Sequence, residues 1–159
     1  MRGLGLAADE LGAIVLIPES REYTWDLILG RYGPDVEFID RALAYTFERY
    51  SVDPSKILLG GFSDGASYAL SLGVSNGDLF THLIAFSPGR LDYGDPIVGR
   101  PEVFVSHGLI DAVLPVQASR ETIVPDLRDK GYSVEYREFI GGHSVPGDIA
   151  DAAMDWFLD

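Results

Sequence analysis

The chain contains no cysteine. Disulfides, thiolate metal sites and a cysteine nucleophile are therefore excluded, and no redox compartment can be read from it. Cations are scarce as well: 12 Lys and Arg stand against 25 Asp and Glu, giving a net charge of −13. Such a surface repels nucleic acid and anionic membrane, so neither is an expected partner. No apolar run approaches the ~20 residues that span a bilayer. Met1 to Gly12 carries Asp9 and Glu10 and lacks the apolar core of a secretory signal, which reads as a cytoplasmic protein. Histidine is rare too, with only three in the chain, so imidazole chemistry has few candidates.

What is present suits a globule. Hydrophobic residues make up 47% and charged residues 23%, the balance of a chain that can bury a core. A length of 159 residues fits a single domain, 1–159, and a domain of this size buries roughly 70% of its unfolded surface. There is no linker, repeat or low-complexity stretch. Apolar runs alternate with segments of helical period. Ala13 to Ile17 reads as a buried strand stopped by Pro18, and Glu19 to Pro34 as an irregular connection. Asp35 is placed to cap a helix whose stripe is Val36, Ile39, Leu43, Phe47 and Tyr50, ended by Asp53-Pro54. Lys56 to Leu59, His82 to Phe86 and Val103 to Val105 read as strands, and Ser133 to Phe139 as a more polar strand near an edge. Helices are expected from Ser63 to about Val74, from Gln117 to Lys130 with a break at Pro125, and at the C-terminus. There Ile149, Ala152, Ala153, Trp156 and Phe157 form an apolar stripe. The alternation predicts an α/β fold, a mostly parallel sheet with helices on both faces. In such sheets the chemistry lies beyond the carboxyl ends of the strands.

Gly61-Phe62-Ser63-Asp64-Gly65 occupies one such end, between Ile57-Leu58-Leu59 and the helix-forming Ala66 to Leu72. A G-x-S-x-G turn between strand and helix holds a serine hydroxyl exposed, and its glycines leave room for a tight backbone. The plainer alternative is a glycine-rich turn in which Ser63 only caps a helix.

Two further strand-end loops carry the remaining chemistry. Ser106-His107-Gly108-Leu109-Ile110-Asp111 follows one strand, and Gly141-Gly142-His143 follows another. Ser63, Asp111 and His143 thus stand in the chain order of a nucleophile-elbow hydrolase. In that arrangement His143 takes the serine proton and returns it to the leaving group, while Asp111 fixes the imidazole tautomer. His107 competes with His143, or packs beneath the site against backbone; His82 reads as structural. Asp64 and Asp95 compete with Asp111. Asp148, Asp151 and Asp155 read as solvated acids at a helix start, so no metal is expected.

Together these motifs resemble the α/β-hydrolase superfamily, and most closely the small serine esterases of the phospholipase/carboxylesterase type. The resemblance rests on Val52-Asp53-Pro54-Ser55-Lys56, the 61–65 turn, Phe86-Ser87-Pro88-Gly89, His107-Gly108 with Asp111 and Pro115, and Gly141-Gly142-His143. It implies hydrolysis of uncharged short-chain esters without a cofactor, through an acyl-serine. The backbone N–H of Asp64 would stand in the oxyanion hole, and Trp25, Phe62, Leu109, Val113, Leu114 and Val145 are candidates for the substrate pocket, with Trp25 and Leu109 read equally well as core. Members of the family begin with further strands, one ending in a His-Gly-Gly-type loop that provides the second oxyanion donor. Here Met1 to Leu11 resembles only the remains of the helix after that loop. The resemblance thus implies an N-terminally truncated version of the fold. Its second donor would come from Glu19 to Tyr23 or from a neighbouring chain, and its incomplete sheet would favour a homo-oligomer.

Overall fold

A computed structural model describes residues 12–94 and 97–159. The expected helix remnant at 1–11 and the rival acid Asp95 lie outside the described residues. By its contacts the chain divides into two compact units, Met1–Val52 and Asp53–Asp159.

In the first unit α1 spans Pro34–Phe47. Pro34 suits its first turn, where the missing N–H costs nothing. Asp35 does not cap this helix as expected; it lies inside the first turn, fully buried. Its carboxylate accepts the N–H groups of Arg21 and Asp26, both at 2.7 Å. Asp26 in turn accepts those of Gly33 at 2.8 Å and Asp35 at 2.9 Å. Two acidic side chains thereby fasten the irregular 21–33 segment to the start of α1 and satisfy donors that no helix turn reaches. Two expectations fail in this unit. Residues 13–17 form no strand, and Ile14 to Ile17 are exposed, Ile17 at 74%. The apolar stripe of α1 is buried at Ile39 but open at Phe47 and Tyr50, and the helix stops at Phe47, short of Asp53.

The second unit is built on a four-stranded sheet in the order β1-β2-β3-β4, all neighbours parallel. The strands are β1 (Leu58–Phe62), β2 (His82–Phe86), β3 (Glu102–Gly108) and β4 (Val134–Phe139). β1 starts later than expected and runs through Gly60 and Gly61, which pair with Ile84 and Ala85. Polar β4 lies at the far edge, as its composition implied.

Helices cover both faces. Leu83 and Ile84 point to opposite sides of β2. Leu83 meets α2 (Asp64–Ser75) at Gly73, where any Cβ would strike its side chain; the glycine lets helix and sheet approach closely. Ile84 packs with Phe104 against Ile149 and Ala153 of α4 (Gly147–Leu158), and Trp156 closes over them. The stripe read from the C-terminal sequence is therefore the one that seats α4. Between β3 and β4 a π-helical stretch, Ala118–Ile123, leads into the short α3 (Val124–Asp129). Pro125 accounts for the change of winding, since it cannot donate to a carbonyl one turn back.

A ladder on α2 positions the loop after β2. Ser67, Ser71 and Ser75 follow Ser63 at four-residue steps, and each hydroxyl donates to the carbonyl one turn back. The same oxygens accept the N–H groups of Gly89, Asp92 and Gly94, each at 3.0 Å. Among the described residues no helix is long and apolar enough to cross a membrane.

Candidate active site

Three loops at the carboxyl end of the sheet converge. The first is the turn between β1 and α2. Ser63 sits there at φ 61° and ψ −124°, a conformation that non-glycine residues avoid. Such strain costs on the order of 1–3 kcal/mol and persists only where the surroundings enforce it. They do so here: the Ser63 N–H donates to the Phe86 carbonyl at 2.9 Å, and the Ser63 carbonyl accepts the N–H groups of Ala66 and Ser67. Asp64 is the first residue of α2, so its N–H lies in the helix's first turn directly after Ser63.

The second and third loops are stitched to one another. Leu109 and Ile110 donate to the carbonyls of Phe139 and Gly141, at 2.9 and 3.0 Å. The two backbones pass so closely at Gly108 that a Cβ there would collide with the carbonyls of Gly141 and Gly142. This seam brings Asp111 to His143.

Asp111 Oδ2 lies 2.7 Å from His143 Nδ1, and His143 Nε2 lies 2.8 Å from Ser63 Oγ. A carboxylate can only accept, so Nδ1 carries the proton and Nε2 is left to accept from the serine hydroxyl. The Asp111 side chain is fully buried and that of His143 is 16% exposed. Burial pushes the Asp111 carboxyl up, but the His143 hydrogen bond and the N–H groups of Leu114 and Val113 outweigh it and hold the carboxyl below its ordinary value. Those two N–H groups reach Oδ1, each at 2.9 Å. The arrangement can draw a proton from Ser63 onto an imidazole that a fixed anion steadies.

The rivals do not join this relay. His107 is wholly buried beneath the acid loop, bonded to Ser119 and to the Leu114 carbonyl. His82 is at the opposite end of β2, its ring edge-on to Trp156 and Phe157 and its Nδ1 on the Thr81 hydroxyl. The Asp64 carboxylate accepts the neighbouring Gly65 N–H at 2.8 Å. Among the described residues no group of three or more His, Asp or Glu side chains is placed to hold a metal.

Of the pocket candidates, Phe62 lies with its ring centroid 4.6 Å from that of His143. Leu114 packs on Gly89, and a Cβ at Gly89 would meet its side chain at 3.0 Å. Val145 is half-buried two residues past His143, whereas Leu109 and Val113 are exposed. Trp25 belongs to the first unit, half-buried. Within Glu19 to Tyr23 the Arg21 N–H is already engaged by Asp35. Ser119 escaped the sequence reading altogether: it sits mid-helix with no motif around it, and only its contact with His107 marks it.

No protein-family model and no curated protein matches the chain. Solved structures do. Esterase PE8 is 31% identical with a TM-score of 0.65, over 77% of this chain and 58% of its own. YahD, solved with malic acid, is 25% identical with a TM-score of 0.63, over 78% of this chain and 61% of its own. The carboxylesterase of Bacillus cereus, at 23% identity and a TM-score of 0.60 over 77% of this chain, shares the fold. The chain spans 56–61% of the length of these three structures.

Proposed function

We propose that this chain, which belongs to the α/β-hydrolase superfamily, is a serine carboxylesterase acting on uncharged short-chain esters. The observation that carries the reading is the unbroken relay from Asp111 through His143 to a Ser63 held at positive φ. In the first half-reaction Ser63 Oγ attacks the ester carbonyl as its proton passes to His143 Nε2. The Asp64 N–H donates to the oxygen that becomes negative. The tetrahedral adduct then collapses: the C–O bond to the alcohol breaks, His143 protonates the departing oxygen, and the acyl group stays on Ser63. In the second half a water gives its proton to His143, its oxygen attacks the acyl carbon, and the acid leaves as the proton returns to Ser63. Asp111 stays ionised throughout and steadies each imidazolium. Esterase PE8, the solved structure at 31% identity, supports ester chemistry for this set.

The test is covalent labelling by a fluorophosphonate together with hydrolysis of a p-nitrophenyl ester. Labelling at Ser63, and turnover abolished by Ser63→Ala, are expected. Folded protein that is not labelled at Ser63 would rule the reading out.

A second reading is a non-catalytic or weakly active truncated module that needs another chain or segment to complete its sheet and its oxyanion hole. The observation favouring it is that β1, the strand that delivers Ser63, is the outer strand of the described sheet. It would label slowly with fluorophosphonate and gain turnover when a complementing segment is supplied.

A further inference from the structure

His107 is a fully buried titratable side chain that the acyl transfer does not use. It stands near the end of β3, four residues before Asp111. Its Nε2 lies 2.8 Å from the Leu114 carbonyl, which can only accept, so Nε2 carries the ring proton. Its Nδ1 is then the acceptor for the Ser119 hydroxyl, also at 2.8 Å. The same Nε2 lies 3.5 Å from Asp111 Oδ2, the oxygen that His143 binds.

Leu114 joins the two ends of this arrangement. Its N–H donates to Asp111 Oδ1 while its carbonyl accepts from His107. The 111–114 turn is thus held from inside by the aspartate and from beneath by the histidine. The Leu114 carbonyl fixes the tautomer, and Ser119, in the π-helical stretch, completes the ring's bonding by donating to Nδ1. With an apolar ring in place of His107, the Leu114 carbonyl and the Ser119 hydroxyl would lose their partner. The turn would be free to rotate the carboxylate away from His143.

We propose that His107 is a positioning residue for the chemistry at Ser63, holding the Asp111 carboxylate in line with His143 Nδ1 through the Leu114 carbonyl. The proposal rests on the reading of Ser63, His143 and Asp111 as the reacting set. A core histidine that merely fills space would show the same burial. It would not direct its one N–H to the carbonyl of the turn that carries the acid.

Two variants separate these cases in the full chain. His107→Phe fills the volume and removes both ring nitrogens; His107→Gln returns an N–H near the position of Nε2. With a p-nitrophenyl ester, His107→Phe should lower kcat on the order of ten- to a hundred-fold, as loss of a supporting partner does elsewhere. KM should change little. His107→Gln should recover most of kcat. Ser119→Ala, a milder change, should act in the same direction and serves if the Phe variant does not fold. A readout free of turnover is the proton NMR signal of His143 Nδ1–H, expected far downfield in the parent and displaced upfield in His107→Phe. If the parent neither labels at Ser63 nor turns over ester, the esterase reading fails while the NMR comparison still decides the role of His107. An unchanged kcat together with an unchanged downfield proton in folded His107→Phe would overturn the proposal.

Discussion

A methyl group on Gly61 would run into the carbonyl of Gly65, across the turn that carries Ser63. The obstacle is backbone, which cannot step aside as a flexible side chain can. Gly61→Ala should therefore open the turn and release Ser63 from its strained φ. We expect a loss of about 1–3 kcal/mol, the usual range for overpacking. For a domain of this size that lowers Tm by about 2–4 °C per kcal/mol. Fluorophosphonate labelling of Ser63 should fall further than the Tm change implies, because the geometry of the turn is lost first. Unchanged labelling together with unchanged Tm would show that the turn tolerates a side chain.

Ser71 makes a different kind of contribution. Its hydroxyl is fully buried and accepts the Asp92 N–H at 3.0 Å while donating to the Ser67 carbonyl at 2.7 Å. Ser71→Ala keeps the volume of α2 nearly unchanged and improves helix propensity, yet leaves the Asp92 N–H without this partner. The unpaired donor dominates: a net loss of about 1–3 kcal/mol is expected. Thermal denaturation measures the total, and amide hydrogen exchange at Asp92 should quicken selectively. Stability equal to the parent would mean that water replaces the serine.

Much of this was legible in the chain because each side chain of the proposed relay follows an apolar run at the end of a strand. Ser63, Asp111 and His143 needed only a parallel sheet to bring them to one edge, and the alternation of runs implied that sheet. The apolar stripe of α4 was readable for the same reason. Ala13 to Ile17 was misread because an apolar β-branched run is only half of a strand; the other half is a neighbour to take its N–H and C=O groups. β1 was placed too early because Gly60 and Gly61 look like a turn, whereas backbone pairing with Ile84 and Ala85 asks nothing of a side chain. The His107–Ser119 contact had no local signature at all. It depends on where a π-helical stretch lands against β3, which no periodicity encodes.

The pH dependence of stability has two parts of different origin. Asp111 has a folded-state pKa below its ordinary value, so its contribution is complete above about pH 4, the unfolded range for Asp. That contribution disappears as pH falls through the lower folded value. His82 also titrates below its ordinary value. Burial is the main cause and Lys56 adds to it, while Glu102 opposes both. Protonation therefore favours the unfolded chain, and stability is full above about pH 6.5 and declines as pH falls below it. Tm measured across this range should show an upper step that His82→Gln flattens and a lower step that Asp111→Asn reduces, the remainder coming from Asp53, Asp126 and Glu138, whose hydrogen bonds also hold them below their ordinary values. If His82→Gln leaves the slope between pH 7 and 5 untouched, the assignment of the upper step is wrong.

β1 ends the described sheet, and its outward row of N–H and C=O groups lies next to the residue proposed to attack the ester. Gly60 and Phe62 in it are exposed, and no charge or proline interrupts Leu58–Phe62 to discourage pairing. Exposed edges of this kind recruit a further strand. Ile14 to Ile17, apolar and open to solvent, adds to the surface that gains from burial. We therefore propose that the protein self-associates, with a dimer or larger homo-oligomer as the working species. Small-angle scattering over a concentration series should give a mass above one chain, and the mass should fall when lysine replaces Leu16 and Ile17. Covering the edge should also restrain the Ser63 turn, so fluorophosphonate labelling per chain should rise with protein concentration. A stable monomer at high concentration, labelling at a constant rate per chain, would reject both statements.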